Sequence, residues 1–281
     1  LPELPIQYPD FAVWQRRRMT GETLERHAGY WRDRLAGSTG ELDLPTDRPR
    51  PAVRSDAGEV LKVTFEPALV ERLRRLARDR GASLFMVVLA GFDALLARYA
   101  AQDDLSVGTF IANRNRAETR DLIGFFINTL TLRVDLAGDP SFAALVDRVR
   151  EVTLGAYAHQ DLPFEKLLEV LEVPRDRSRT PLFQAMLVLQ NLPIGRLELS
   201  GVTMERVDVE RRHSDFDLTL WLWETGGGLS GHLDFATALF DRTTMVRLMR
   251  HLEGLLTAAA EGSGRPLSEL ELLGAAERHQ V

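Results

Sequence analysis

At 281 residues, with 44% hydrophobic and 27% charged side chains, the chain is long enough for one large domain with a real core and is ordinary for a folded globular protein. Its formal net charge of -6, with acidic and basic side chains interspersed, argues against nucleic acid as the main partner. The absence of cysteine excludes disulfides, thiolate nucleophiles and cysteine-ligated metals, and it suits a reducing cytoplasm.

No apolar run reaches the roughly 18 residues of a membrane-crossing helix, so no membrane role is expected. No signal peptide is visible, and the opening Leu1-Pro2-Glu3-Leu4-Pro5 reads as a linker or a cut inside a longer protein. Residues 1–57 read as loosely structured around one helix near Thr20–Leu35, with Pro45, Pro49 and Pro51 breaking the chain after it. Leu61, Val63 and Phe65 alternate with polar positions and predict a strand at Glu59–Phe65. Pro67 starts a helix carrying Leu69, Leu73 and Leu76, ended by Gly81. Ser83 caps a second helix, apolar on nearly all sides through Tyr99, and such a helix is expected inside the core.

Strands are predicted at Leu105–Ile111 and Phe126–Val134. Ser141 caps a helix with Phe142, Leu145, Val149, Val152 and Ala156 on one face, and Asp161 and Pro163 start a shorter one to Leu171. Four more strands are predicted, at Leu182–Leu189, Val202–Val209, Phe216–Glu224 and Leu229–Phe235, with Gly226-Gly227-Gly228 as the hairpin turn between the last two. A final helix spans Arg242–Ala260, and a short tail follows. Strands and helices without regular βαβ alternation predict an α/β fold of the mixed α+β sandwich kind, in one domain.

Local chemistry is sparse. None of the six histidines forms a metal-ligand pair at helical spacing; His232 and Asp234 share a strand face but lack a third ligand, which favours an ordinary solvated face. His213-Ser214-Asp215 brings together three triad residue types, but sequence neighbours lack the separate backbone supports that a triad needs, so a polar turn is expected. The triple glycine joins two strands, whereas a phosphate loop leads into a helix. Two stretches remain: Asn113-Arg114-Asn115-Arg116, and Ile123 to Thr129, where Asn128 sits in an apolar run. Its amide is either a positioned group in a cleft or a structural pin between a loop and the sheet.

Four segments, in order, carry a resemblance. Tyr8 to Gln15 (YPDFAVWQ) is similar to the YxDYAVWQ segment of nonribosomal peptide synthetase condensation domains, and Ile123 to Arg133 (IGFFINTLTLR) to their IGxFVNTxxxR segment. His159 to Glu165 (HQDLPFE) resembles HQDxPFE, and Arg175 to Leu182 (RDRSRTPL) resembles RDxSRxPL. Asp234-Phe235-Ala236-Thr237 departs from the family's tyrosine-containing stretch, and Glu277-Arg278-His279-Gln280 resembles the start of a linker into an adenylation domain.

The resemblance implies a lobe similar to chloramphenicol acetyltransferase, one of two that enclose a tunnel. There a donor thioester and an acceptor amine, both on phosphopantetheine arms of carrier proteins, form an amide. It implies three spans: 1–57 as inter-lobe linker and first helix, 58–264 as C-terminal lobe, and 265–281 as the start of the linker. The family's HHxxxDG motif belongs to the N-terminal lobe, and no two histidines are adjacent here, so no catalytic residue is assigned and the chain alone is expected to be inactive. The implied partners are that N-terminal lobe, peptidyl carrier proteins and an adjacent adenylation domain; the lobe itself is expected to bind no cofactor and no metal.

The resemblance implies by position that Arg114, ahead of Arg116, is the arginine that pairs across the lobes with the aspartate of HHxxxDG; alone, it would lack that partner. Asn128, Gln190 and Asn191 are tunnel candidates. Asp10, Trp14, Gly124, His159, Asp161, Pro163, Arg175 and Arg179 are structural motif residues, with Asp161 expected as a helix N-cap and His159 as a local hydrogen-bonder. The motif spellings are nearer to domains joining two L-residues than to epimerisation domains. Two other roles fit the same fold: a non-catalytic docking module, and a lobe of a CoA-dependent acyltransferase.

Overall fold

The computed structural model describes residues 4–190 and 212–279; the expected strand at Val202–Val209, and Asn191, lie outside the described residues. The chain begins with two helices, α1 (Tyr8–Arg18) and α2 (Gly21–Leu35), and a long irregular segment leads to β1 (Gly58–Phe65). Then come α3 (Pro67–Asp79), α4 (Leu84–Ala100), β2 (Asp104–Ile111), β3 (Asn128–Asp135), α5 (Phe142–Ala158) and α6 (Phe164–Val170). The second half supplies β4 (Ala185–Gln190), β5 (Leu218–Thr225), β6 (Gly228–Ala236), α7 (Arg242–Glu261) and the short α8 (Ala275–Arg278).

The strands form one six-stranded sheet in the order β1-β6-β5-β4-β2-β3. β2 runs parallel to β4 and β4 to β5, while the other neighbours are antiparallel. Period-two alternation divides the side chains between two faces. Leu61, Val107, Leu132, Leu187, Leu220 and Leu233 lie on the face that packs under α3, α4, α5 and α7, where they share one core. α4 is buried along almost its whole length because helices flank it and the sheet lies beneath it, which accounts for its lack of a polar face. Ser83 caps α4 by accepting from the Met86 amide at 3.3 Å, and Ser141 caps α5 from the Ala144 amide at 3.2 Å. The hairpin turn between β5 and β6 places Gly226 and Gly227 at φ of 55° and 88°, the left-handed region that glycine enters without steric cost.

Three expectations need correction. Residues 1–57 hold two helices, and α1 escapes the periodicity reading because Phe11 is its only buried residue. The irregular segment 36–57 is stitched down: Leu42 is buried, its amide donates to Gln184 Oε1 at 2.7 Å, and Arg50 grips Asp217 through two hydrogen bonds of 3.1 and 2.5 Å. Asp161 does not cap α6, because the cap position is Pro163 and the Phe164 amide donates instead to Asn128 Oδ1 at 3.1 Å. The tail from 265 also packs on the lobe, with Leu267 and Leu270 in the core.

Candidate functional site

The parallel run of β2, β4 and β5 sends their C-terminal ends to one edge of the sheet. Arg114 follows the end of β2, Gln190 ends β4, and Asn128 opens β3 opposite Ile111. Three of the four tunnel candidates therefore share one end of the sheet.

Around them the 119–127 loop is built on α1. Phe11, Leu122 and Phe126 form a small buried cluster with Tyr8 and Trp14 against it. Tyr8 donates its hydroxyl to the Phe125 carbonyl at 2.9 Å, and its ring lies where a Cβ on Gly124 would be, 2.3 Å from the nearest ring carbon. Asp10 accepts from the Gln7 amide at 2.9 Å and closes the first turn of α1. The Arg116 guanidinium lies 4.1 Å from the Trp14 ring centre and that of Arg18 5.4 Å, so two cations meet the indole ring.

This scaffold turns the loop's alternate side chains outward. Ile123 is 95% exposed, Phe125 74% and Ile127 49%, while Leu122 just before them and Phe126 among them are buried. Three exposed apolar side chains this close in sequence are a feature that interaction surfaces share.

Arg114 stands beside these side chains and is not without partners in the lone lobe. Its guanidinium lies 4.2 Å from the Phe126 ring centre, and Nη1 donates to the carbonyls of Thr119, Arg120 and Leu122, the last at 2.8 Å. All its hydrogen bonds to the described residues leave from Nη1, so Nη2 and Nε remain available to a carboxylate.

Asn128 is the pin rather than a free cleft group. Its Nδ2 donates to the carbonyls of Gln160 and Leu162, both at 2.8 Å, and Oδ1 accepts from the amides of Thr129 and Phe164. All four positions of the amide are used, which leaves none for a tunnel ligand.

His159 also differs from expectation. Its Nδ1 has no hydrogen-bond partner among the described residues; the ring stacks on Tyr30 at 4.1 Å and 3°, and meets His27 edge-on at 5.1 Å. Burial lowers the pKa of both histidines, and for His27 the proximity of His159 adds to the effect. The backbone carbonyl of His159 accepts from Trp31 Nε1 at 3.2 Å, so this turn holds α2 in place. No local sequence pattern pairs His27 and Tyr30 with His159, because they lie more than a hundred residues apart.

Arg179 and Arg175 sit elsewhere, along a groove between α6 and the 39–41 segment. Arg179 pairs with Asp43 at 2.8 Å, and Arg175 is exposed. On the sheet face away from α3, α4, α5 and α7, Phe110, Met186, Thr219, Trp221 and Asp234 line a cavity of about 230 Å³. His232 and Asp234 stand 3.5 Å apart there, and no metal-ligand group of three forms among the described residues. The His213 turn has no triad geometry: Ser214 donates to the Phe216 carbonyl, and His213 pairs with Asp215 at 2.7 Å.

A family model described as the condensation domain matches residues 1–281. One of the linear gramicidin synthase subunits of Brevibacillus parabrevis is 47% identical over 283 residues, covering 100% of this chain; the chain spans 6% of that relative's length. The X-domain from teicoplanin biosynthesis superposes with a TM-score of 0.88 at 32% identity, covering 97% of this chain and 64% of that one. A complex of the X-domain with OxyB gives the same TM-score of 0.88, with 62% of its chain covered.

Proposed function

The chain belongs to the condensation-domain family, and from that premise we propose that it supplies the C-terminal lobe of an amide-forming condensation domain of a nonribosomal peptide synthetase. In this reading the amine of a carrier-bound acceptor attacks a carrier-bound donor thioester in a tunnel that this lobe helps to wall. The single observation that carries it is the sheet end where a half-buried Arg114 stands next to the exposed side chains of Ile123, Phe125 and Ile127. A half-engaged guanidinium beside exposed apolar side chains suits an obligate, mostly apolar interface with one buried charge pair. The histidine motif that would hold the amine and the tetrahedral intermediate is absent from this sequence. The phosphopantetheine arms belong to the carrier proteins, and the lobe's residues shape their path.

The test is reconstitution. The N-terminal lobe of a condensation domain, made separately, binds this chain, and two loaded carrier proteins yield amide only when both lobes are present. In a double-mutant cycle, Arg114→Ala and an asparagine in place of the aspartate of HHxxxDG couple by about 1.5 kcal/mol or more, as close charge pairs at interfaces do. Amide formation by this chain alone, or absence of lobe binding at micromolar concentration, contradicts the proposal.

A second reading has one observation in its favour. The X-domain superposes closely and is also seen in complex with OxyB, so the same fold can be a docking platform. A reconstituted pair of lobes that binds a partner enzyme but forms no amide supports this reading instead.

A further inference from the structure

The tail after α7 does more than trail from the lobe. Leu270 is buried in the core, and its carbonyl accepts from Arg98 Nη1 at 2.6 Å. Earlier in the tail, Ser268 donates to Asp139 through its amide at 2.9 Å and its hydroxyl at 2.5 Å. Beyond it, Glu277 Oε2 accepts from the Gly274 amide at 2.9 Å and closes the turn of α8.

That same carboxylate oxygen lies 3.1 Å from His251 Nε2, and the other ring nitrogen of His251, Nδ1, lies 2.7 Å from the Tyr99 hydroxyl. A carboxylate only accepts, so Nε2 carries the proton and donates to Glu277. In the neutral ring Nδ1 then accepts from Tyr99. The relay runs from α4 through α7 to α8. His251 is 5% exposed, so its two nitrogens depend on these two partners.

We propose that Tyr99, His251 and Glu277 form an orientation clasp, which makes residues 270–279 part of the lobe's rigid body and fixes the direction in which the chain leaves it. A relay through a buried histidine is a costly way to hold a surface tail unless its direction matters, because a polar exposed tail would need no such partner. The shared oxygen supports this: one carboxylate both closes α8 and holds it to α7, so the helix cannot form in another place without taking the partner of His251 Nε2 away. Hydrogen bonds from Gly274 and His251 hold the Glu277 carboxyl below its usual range, in keeping with a carboxylate that stays charged. An adenylation domain following the tail, which rests on the proposed condensation-domain role, would thereby be held at a set attitude to the lobe.

The chain has no cysteine, so Ala68→Cys on α3 and His279→Cys in the tail can be spin-labelled alone. Pulsed dipolar spectroscopy on the 281-residue chain is expected to give one narrow distance distribution. Tyr99→Phe and Glu277→Gln keep the bulk of each side chain, and they are expected to broaden it. Amide exchange at 272–279 rises by about tenfold in Glu277→Gln, the change expected from one weakened hydrogen bond to a charged group, and by about fivefold in Tyr99→Phe, which loses a neutral one, while β4 and β5 stay protected. A broad distribution in the parent, or a narrow one with unchanged exchange in both variants, overturns the clasp. A narrow parent distribution that broadens in the variants upholds it whether or not an adenylation domain follows; that question is settled separately, by labelling the intact synthetase.

Discussion

Asp93 sits in the middle of α4 with no exposure and, among the described residues, no hydrogen-bond partner for either carboxylate oxygen. Burial pushes its carboxyl well above the ordinary carboxylate range, so the folded chain holds a proton there that the unfolded chain releases more readily. The sign follows. Stability from this group is fully present below the unfolded pKa and is lost as pH rises through the raised folded value. Asp93→Ala is expected to raise the unfolding free energy by about 1–3 kcal/mol at pH 8, the range for relieving a buried unsatisfied group, and by less at pH 4. Urea unfolding at the two pH values checks it. The other instructive residue is Asn128: the sequence left its amide open between two roles, and the four partners that decide between them come from separate stretches of chain.

Among the elements, α1 shows how a weak helix is fixed from outside. Its sequence has three arginines at the last turn and a single buried aromatic, too little to specify a packing face. Phe11 finds its place only because Phe126 and Leu122 meet it, with ring centres of Phe11 and Phe126 4.7 Å apart. Phe11→Ala is expected to destabilise the protein by about 3 kcal/mol, as for a buried aromatic. More tellingly, it should speed amide exchange in the 119–127 loop while β4 and β5 stay protected. Equal acceleration everywhere would show that the loop and the sheet open together. The six described strands and the long helices were legible beforehand, since their alternation and capping residues act over short distances. Strand starts slipped by two or three residues at Phe126 and Leu182, where apolar residues continue past the last ladder pair to serve packing.

At the scale of the molecule, the segment from 36 to 57 works as a strap. It runs across the lobe from Leu42 at the Gln184 amide, through Arg50 at Asp217, to Arg54, which donates to the Ser214 carbonyl at 3.0 Å. Arg50 and Asp217 are largely buried, with side-chain exposures of 16% and 4%. Arg50→Ala leaves the carboxylate buried and unpaired, and is expected to cost about 3–5 kcal/mol. Denaturant midpoints measure this, and a loss under about 1 kcal/mol would mean that the pair behaves as a surface ion pair does. No single helix among the described residues is long and apolar enough to cross a membrane.

The sequence by itself determined the type of most described elements, with α1 the exception, the buried character of α4 and, through four ordered motifs, the family. Those depend on neighbours a few residues apart, or on motif spellings that need no geometry. Tertiary structure alone decided that Arg114, Gln190 and Asn128 share one end of the sheet, and that Ile123, Phe125 and Ile127 face outward from an aromatic base. It also decided that His251 joins Tyr99 to Glu277. Each of these depends on strand order and on contacts between distant stretches of chain, or on which face of a loop its backing leaves exposed. Local periodicity carries no information about either.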